Sequence, residues 1–339
     1  MNIKPDNDLI LKHKEFGGKL LDIAQHAESI AITTHINSDG DGMVVCFALQ
    51  EILRSNGINS IIVTDGENLD RYSFLMQNNA IEPYHKDMVF DFCCVIDCNS
   101  YDRLGERLAL AEKAQKVAVL DHHVVEHNPI EADIDLIDYS YPSAGALLWR
   151  VLAAHISKLN SATRKYVAEC VYVSILNDSN NFSNANTNAR MFEISADVAK
   201  EGIQPHLLHM AYLQNHSPQE MLYVGKSLAT ITLHHQDKYL FLYSDLAMAK
   251  EIGINPADFM SVTRWVQGIT NLNAIAYFRE VAPGEWKVSL RSLVLNVQEI
   301  AARHGGGGHR KASGLTLHGN LQQVQHTVLD ELETAHLIS

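Results

Sequence analysis

The sequence predicts an α/β fold, with an N-terminal doubly wound, mainly parallel sheet and a smaller C-terminal α+β domain. Three observations predict it. Strand and helix patterns alternate from residue 30 to residue 120, as a parallel sheet with helices on both faces requires. Beyond about residue 220 the texture changes to strand pairs with hairpin material between them. Acidic and imidazole residues stand where apolar strand patterns stop, and the carboxyl ends of such strands are where open parallel sheets form ligand sites.

Leu9 to Ala27 has the spacing of an amphipathic helix and leads into a first strand at 30–34. Residues 43–55 carry an apolar pattern broad enough for a buried helix. Strand 60–64, a short helix near 72–79 and strand 91–96 follow, then a helix near 104–114 and a strand at 117–120. Two long helical stretches come next, Ala144 to Leu159 and Thr163 to Leu176, and a third at about Ala189 to Glu201. The pattern breaks near 203–218. Ser217-Pro218-Gln219-Glu220 then reads as a helix start, with Ser as N-cap, Pro at the first position and Glu three residues on.

Ile231 to His235 pairs with Tyr239 to Tyr243, and Asn273 to Glu280 pairs with Trp286 to Arg291 across the hairpin material Ala282-Pro283-Gly284-Glu285. A glycine run, Gly305 to Gly308, and an amphipathic helix from Leu321 close the chain. The expected domains are therefore 1–200 and 221–339, joined by a linker at 201–220. The cleft between them is the expected place for a site.

A length of 339 residues allows two ordinary domains. With 46% hydrophobic and 20% charged residues the chain is globular rather than disordered or fibrous. No apolar run approaches the ~20 residues that span a bilayer, and Met1 to Lys14 lacks the apolar core of a signal peptide. Five cysteines without a Cys-x-x-Cys pair suit free thiols in a reducing compartment, so a cytoplasmic protein is expected. A formal charge of −13 argues against life on long duplex nucleic acid, which needs extended basic surface. It leaves room for a small phosphorylated substrate held by metal ions and a few local cations. Eighteen histidines raise the expectation of metal chemistry slightly.

Between the first strand and the buried helix stand His35, Asp39 and Asp41, with Gly40 and Gly42 letting the backbone turn tightly. Alone, such a turn is explained as well by solvated Asp-Gly pairs. Phe92 to Ile96 ends in Asp97, Val117 to Leu120 runs into Asp121-His122-His123, and Tyr172 to Leu176 precedes Asp178. Singly, Asp97 reads as a helix cap and Asp178 as a turn residue; only the Asp-His-His triplet stands out. Together, four strand-ending or loop positions supply five carboxylates and three imidazoles. Those anions would repel one another unless cations sit among them. Two divalent ions about 3.5–4 Å apart, bridged by one carboxylate, are the usual device for activating water against phosphorus. Hard oxygen and imidazole donors suit Mn²⁺ or Mg²⁺.

The order of these motifs resembles the DHH phosphoesterase superfamily with its C-terminal DHH-associated (DHHA1) domain: His35-x3-Asp39-x-Asp41, Asp97, Asp121-His122-His123 with Asn128 downstream, and Asp178. Val288-Ser289-Leu290-Arg291-Ser292 and Gly305-Gly306-Gly307-Gly308-His309-x2-Ala312-Ser313-Gly314 extend the resemblance, which covers roughly residues 20–318. Length and layout look most like the bifunctional oligoribonuclease/pAp phosphatase (nano-RNase) branch. The resemblance implies that His35 and Asp39 ligate one metal, that Asp41 and His122 ligate a second, that Asp97 bridges and that Asp178 is a further ligand. It implies Asp121 as a residue orienting the imidazoles and His123 as hydrogen-bond donor or general acid at the scissile phosphate. Arg291, Ser292, Gly306, Gly307, Gly308 and His309 would hold a substrate phosphate.

Departures from the family's common Pro-Asp-x-Asp-Ala-x-Gly-Ser are Ser38 for the proline, Gly42 for the alanine and Val44-Val45 for Gly-Ser. Asn177-Asp178-Ser179 stands where Thr-Asp-Thr is usual. Among lesser candidates, Ser143 reads as an N-cap whose helix start could face an anion, and His304 as a helix-end or phosphate-binding residue.

The implied function is two-metal hydrolysis of short single-stranded RNA or DNA, a few nucleotides long, with pAp as a possible second substrate and Mn²⁺ expected ahead of Mg²⁺. A homodimer is left open. The same chemistry on a cyclic or linear dinucleotide, polyphosphate or pyrophosphate is the nearest rival. A catalytically silent nucleotide sensor is the rival of another class, and its expected signature, a missing ligand, is absent from the motifs.

Overall fold

The structure is a computed structural model that describes residues 7–36, 38–66, 69–124, 128–184, 186–255 and 262–338; the side chains of 7–10, 309 and 336–338 lie outside that description. It divides into two compact units, Met1–Asn215 and His216–Ser339.

In the first unit α1 (Asn7–His26) leads into β1 (Ile30–Thr33), α2 (Gly40–Ser55), β2 (Ile61–Thr64), β3 (Ile81–Pro83) and β4 (Phe92–Ile96). Then come α3 (Leu108–Lys113), β5 (Lys116–Asp121), β6 (Ile134–Ile137), α4 (Ala144–Val151), α5 (Ala153–Ile156), α6 (Ser161–Asp178), α7 (Ala189–Ala199) and α8 (Pro205–Leu213). The six strands lie in the order β3-β2-β1-β4-β5-β6, every neighbour parallel. Chain order reverses between β1 and β4, and doubly wound sheets open their ligand crevice at that point.

Alternation along the strands builds the two faces. Ile30 and Ile32, Phe92, Cys94 and Ile96, and Ala118 and Leu120 enter the larger core with α1, α2, α4, α6 and α7. Ala31, Cys93 and Val95, and Val117 and Val119 enter the smaller core on the other face with α3. Both faces of α2 are apolar, and it is buried from Gly40 to Gln50.

Several elements differ from the sequence reading. α2 starts three residues early because the Asp39 side chain caps it, accepting from Asp41 N and Gly42 N. The helix near 72–79 is a short 3₁₀ turn at Leu69–Tyr72, and that near 104–114 is two 3₁₀ turns followed by α3. Ala144 to Leu159 breaks at Leu152. Thr163 to Leu176 is helical as expected, within α6, so Asp178 ends a helix rather than following a strand. Strands β3 and β6 and helix α8 were not expected.

The second unit runs α9 (Pro218–Leu228), β7 (Thr232–His234), β8 (Tyr239–Ser244), α10 (Leu246–Ile252), β9 (Ala274–Ala282), β10 (Glu285–Arg291), α11 (Val297–Arg303), β11 (Gly307–His309), β12 (Ala312–His318) and α12 (Leu321–Ile338). Ser217 and Glu220 form the full capping box at the start of α9. The sheet order is β11-β12-β10-β9-β8-β7, with β8 and β9 parallel and the other pairs antiparallel. Ala274, Ala276 and Phe278 face α11 and α12, while Ile275 and Tyr277 face α9 and α10. No helix among the described residues is long and apolar enough to cross a membrane.

Candidate metal centre

The ligand-type residues of the first unit gather at the carboxyl ends of β1, β4 and β5, around the point where strand order reverses. His35 follows β1. Its Nδ1 lies 2.8 Å from the Ile36 carbonyl, and a carbonyl only accepts, so Nδ1 carries the hydrogen. Nε2 is thereby left with its lone pair facing Asp39 Oδ1 at 3.8 Å and Asp97 Oδ2 at 3.6 Å. His122 repeats the device. Its Nδ1 faces the Tyr141 carbonyl at 3.3 Å, which turns the Nε2 lone pair toward Asp41 Oδ2 at 3.5 Å, Asp97 Oδ1 at 3.4 Å and Asp178 Oδ2 at 2.9 Å.

Asp97 ends β4 with φ of 57°, in the left-handed region that non-glycine residues rarely adopt. Its amide donates to Leu120 O at 2.9 Å, pinning the strained turn to β5. The result divides the carboxylate, with Oδ2 toward His35 and Oδ1 toward His122 and His123.

Asp41 is fully buried and accepts from Ala144 N at 2.6 Å and Gly145 N at 3.2 Å, the first amides of α4. The anion expected at that helix start is thus a side chain of the protein itself. Ser143 caps the helix, and its hydroxyl lies 2.7 Å from that of Ser174 on α6.

His35, Asp39 and Asp97 offer ligand atoms within 4.8 Å of one another, and so do Asp41, His122 and Asp178. Among the described residues, the buried Asp97 Oδ1 and His122 Nε2 have no hydrogen-bond partner, although they lie only 3.4 Å apart. Two unsatisfied lone-pair donors aimed at one place are costly unless a cation takes both. The oxygen and imidazole set fits Mn²⁺ or Mg²⁺.

Electrostatics agree. Burial opposes the charged form of His35, but Asp39 and Asp97 outweigh it and raise the ring to about 10. Burial likewise opposes a charged His122, yet Asp178, Asp97 and Asp41 bring it up to about 12. Burial, then repulsion from Asp178 and Asp97, pushes Asp41 well above the usual carboxylate range. Burial also raises Asp178. Against its own burial, Asp97 is held low by the imidazoles of His122 and His35. In this site protons do what divalent cations would do better.

Asp121 orients the triplet differently from expectation. Its Oδ1 accepts from the backbone amides of His122 and His123 and from His123 Nδ1 at 2.8 Å, so it fixes the His123 ring. The His122 ring is fixed by the Tyr141 carbonyl instead. Asn128, at φ of 56°, donates to Asp102 and shapes the following loop.

Tyr212 and Arg71 went unread in the sequence, and Asn177 was noted only as a departure from the motif. Asn177 Oδ1 accepts from Gly40 N and from the Tyr212 hydroxyl, and Arg71 donates to that hydroxyl at 3.1 Å. A Cβ on Gly40 would lie 2.1 Å from the Tyr212 oxygen. The side chain at 40 is missing because Tyr212 fills its space.

In the second unit, Arg291 is half-buried, and among the described residues its side chain makes one hydrogen bond, to the adjacent Leu290 carbonyl, and no ion pair. Ser292 is a correction: its hydroxyl donates to Asn273 O and accepts from Val294 N and Leu295 N, so it shapes the loop and has little left for substrate. Gly306 to Gly308 do not form an open loop. Gly307 and Gly308 belong to edge strand β11, and a Cβ on Gly306 or Gly308 would strike the β12 backbone. The backbone of His309 ends β11; its side chain lies outside the described residues. His304 ends α11 and pairs with Glu331 at 3.0 Å.

The family model described as "DHH family, N-terminal domain" matches residues 29–175, and the "DHHA1 domain" model matches 238–334. The chain is 25% identical over 307 residues to a Mycoplasma genitalium protein named bifunctional oligoribonuclease and PAP phosphatase NrnA, covering 89% of this chain and 92% of that one. It is 26% identical over 303 residues to a protein of the same name from Thermus thermophilus, covering 89% and 88%. The crystal structure of an exopolyphosphatase-related protein from Bacteroides fragilis has the same fold, with a TM-score of 0.78 at 19% identity, covering 94% of this chain and 96% of that one.

Proposed function

Because the chain belongs to the DHH family and carries a DHHA1 domain after the DHH domain in sequence, we propose that it is a metal-dependent phosphoesterase acting on short oligonucleotides. One observation supports the reading: Asp97 stands between two three-ligand clusters, belonging to that of His35 and Asp39 through Oδ2 and turning Oδ1 to His122 of the other.

His35, Asp39 and Asp97 would hold one ion, and Asp41, His122 and Asp178, with Asp97, a second. Two such ions, Mn²⁺ ahead of Mg²⁺, supply Lewis-acid neutralisation of a phosphate and a more acidic water. The residues of the chain do the rest. The Ile36 and Tyr141 carbonyls hold both ligating imidazoles in the tautomer that presents Nε2. Asp121 holds the His123 ring by Nδ1 and leaves Nε2 to face substrate. Burial works against a charged His123, but Asp121 and Asp97 raise it, favouring a ring that keeps a proton for the leaving oxygen.

The substrate class follows from the relatives named oligoribonuclease and PAP phosphatase and from charge. At −13 the chain suits a short substrate with few phosphates better than a long duplex. Arg291, a half-buried cation without a carboxylate partner among the described residues, supports a role of the second domain in holding a substrate phosphate, together with the β11 backbone and His309. A cytoplasmic enzyme degrading RNA or DNA fragments one nucleotide at a time, and pAp as a second substrate, complete the proposal.

The test is incubation with Mn²⁺ and a panel of RNA and DNA dimers to pentamers, pAp, cyclic dinucleotides and pyrophosphate. Mononucleotides from the short oligomers, and AMP from pAp, are expected. Turnover of pyrophosphate alone, or undiminished turnover in EDTA, would overturn the reading.

A further inference from the structure

The first unit carries a cation that the proposed chemistry has not used. Arg71, on the 3₁₀ turn Leu69–Tyr72, lays its guanidinium 4.9 Å from the centre of the Tyr212 ring and 5.7 Å from that of Tyr72. The two rings stack 6.4 Å apart, and Phe47 closes edge-on against Tyr72. The cation therefore rests on a rigid aromatic wall. A guanidinium has five N–H donors; among the described residues Arg71 uses one, toward the Tyr212 hydroxyl at 3.1 Å, and no carboxylate pairs with it.

A half-buried arginine usually spends its donors on an acid or on carbonyls. Here the wall is joined to the metal centre instead. The Tyr212 hydroxyl donates to Asn177 Oδ1, which accepts from Gly40 N at 3.2 Å, and Gly40 stands between Asp39 and Asp41. Arg71 is thus three hydrogen bonds from the ligand turn, within the same compact unit. A planar fork of free donors on an aromatic face matches a phosphate, which it can take through two parallel bonds.

We propose that Arg71 forms a second anion subsite, which takes the phosphate one nucleotide along from the phosphate being cleaved. The subsite rests on the oligonucleotide reading and deepens it: the preferred short substrates carry a 5′-terminal phosphate in addition to the scissile diester. Tyr72 and Tyr212 position the guanidinium, and Asn177 ties that position to the ligand turn.

The test compares the dinucleotides pApA and ApA, which differ only in the terminal phosphate, with Mn²⁺ and the full chain. Wild type is expected to prefer pApA by about tenfold or more in kcat/KM, the scale of one charge-assisted contact. Arg71→Met, which keeps the stacking bulk, should collapse that ratio toward one, and Arg71→Lys should restore part of it. A structural role would lower both substrates in proportion and leave the ratio unchanged, which would overturn the proposal, as would a wild type indifferent to the terminal phosphate. If wild type cleaves neither dinucleotide, the oligonucleotide reading fails separately. Calorimetry of pApA then decides the subsite: weaker binding to Arg71→Met upholds it and equal binding removes it.

Discussion

His122 Nε2 and Asp178 Oδ2 lie 2.9 Å apart, yet the buried nitrogen has no hydrogen-bond partner among the described residues. The Tyr141 carbonyl, 3.3 Å from Nδ1, holds the ring so that Nε2 faces the carboxylate. On the proposed two-metal reading the two atoms are co-ligands of one ion.

Asp178→Asn is therefore expected to weaken Mn²⁺ binding and turnover by at least about 100-fold, the upper end of what supporting residues of metal sites contribute. Burial raises the Asp178 carboxyl, so the metal-free protein should melt no lower than wild type. Thermal melts with and without Mn²⁺ read both effects. An undiminished Mn²⁺-induced rise in Tm in the variant would remove Asp178 from the ligand set.

What was legible in the sequence was what a motif writes locally. His35, Asp39 and Asp41 share one turn and Asp121 to His123 are consecutive, so a linear reading collects them. Asp97 and Asp178 became legible only in company, and Asp178 was grouped with strand ends although the apolar run Tyr172 to Leu176 before it belongs to a helical stretch. Such runs do not distinguish a buried strand from a buried helix. The groups that orient the ligands are the Ile36 and Tyr141 carbonyls and the Ala144 and Gly145 amides, and backbone atoms have no residue signature. β3 and β6 escaped because three or four half-exposed residues, one strand ending in Pro83, carry too little periodicity. Ser292 was read as a phosphate contact from its motif, whereas the turn after β10 consumes its hydroxyl.

Gly42 stands where alanine is common in DHH proteins, and the reason is across the turn. A Cβ at 42 would lie 2.2 Å from Thr34 Oγ1. Gly42→Ala is expected to destabilise by about 2 kcal/mol, within the usual range for overpacking a tight core. Thr34→Ala in the same chain should recover most of the loss, a non-additive pair typical of residues in contact. Urea unfolding of both single variants and the double variant measures the coupling; additive values would mean that the turn relaxes without Thr34.

Arg107 is buried with 1% exposure, bonded to Thr33 Oγ1 at 2.9 Å and Val63 O at 3.2 Å, and paired with Asp65. It ties the ends of β1 and β2 together two residues before His35. Replacing it by methionine fills much of the volume but leaves Asp65 without its partner and the Val63 carbonyl with one donor fewer. A loss of about 3 kcal/mol is expected, the lower end for breaking a buried pair, since Asp65 is a third exposed. Asp65→Asn in the Arg107→Met background should cost less than it does in wild type. Equal costs in the two backgrounds would show that the ion pair contributes nothing.

Asp138 supplies the pH dependence that is separate from metal binding. Burial pushes its carboxyl up, but His13 at 3.2 Å and the Ser140 amide and hydroxyl outweigh burial and bring it down to about 2. A carboxyl whose folded value lies below its unfolded value of about 3.9 binds its proton more readily in the unfolded chain. It therefore contributes stability that is present above pH 4 and lost as pH falls toward 2. The shift corresponds to roughly 2 kcal/mol at neutral pH. Asp138→Asn removes the titration, so wild type should exceed the variant in stability at pH 6 by more than at pH 2.5, with the gap closing between pH 4 and 2.5. Urea midpoints across that range, on metal-free protein, give the slope. A gap that stays constant with pH would mean that the His13–Asp138 contact acts through packing rather than charge.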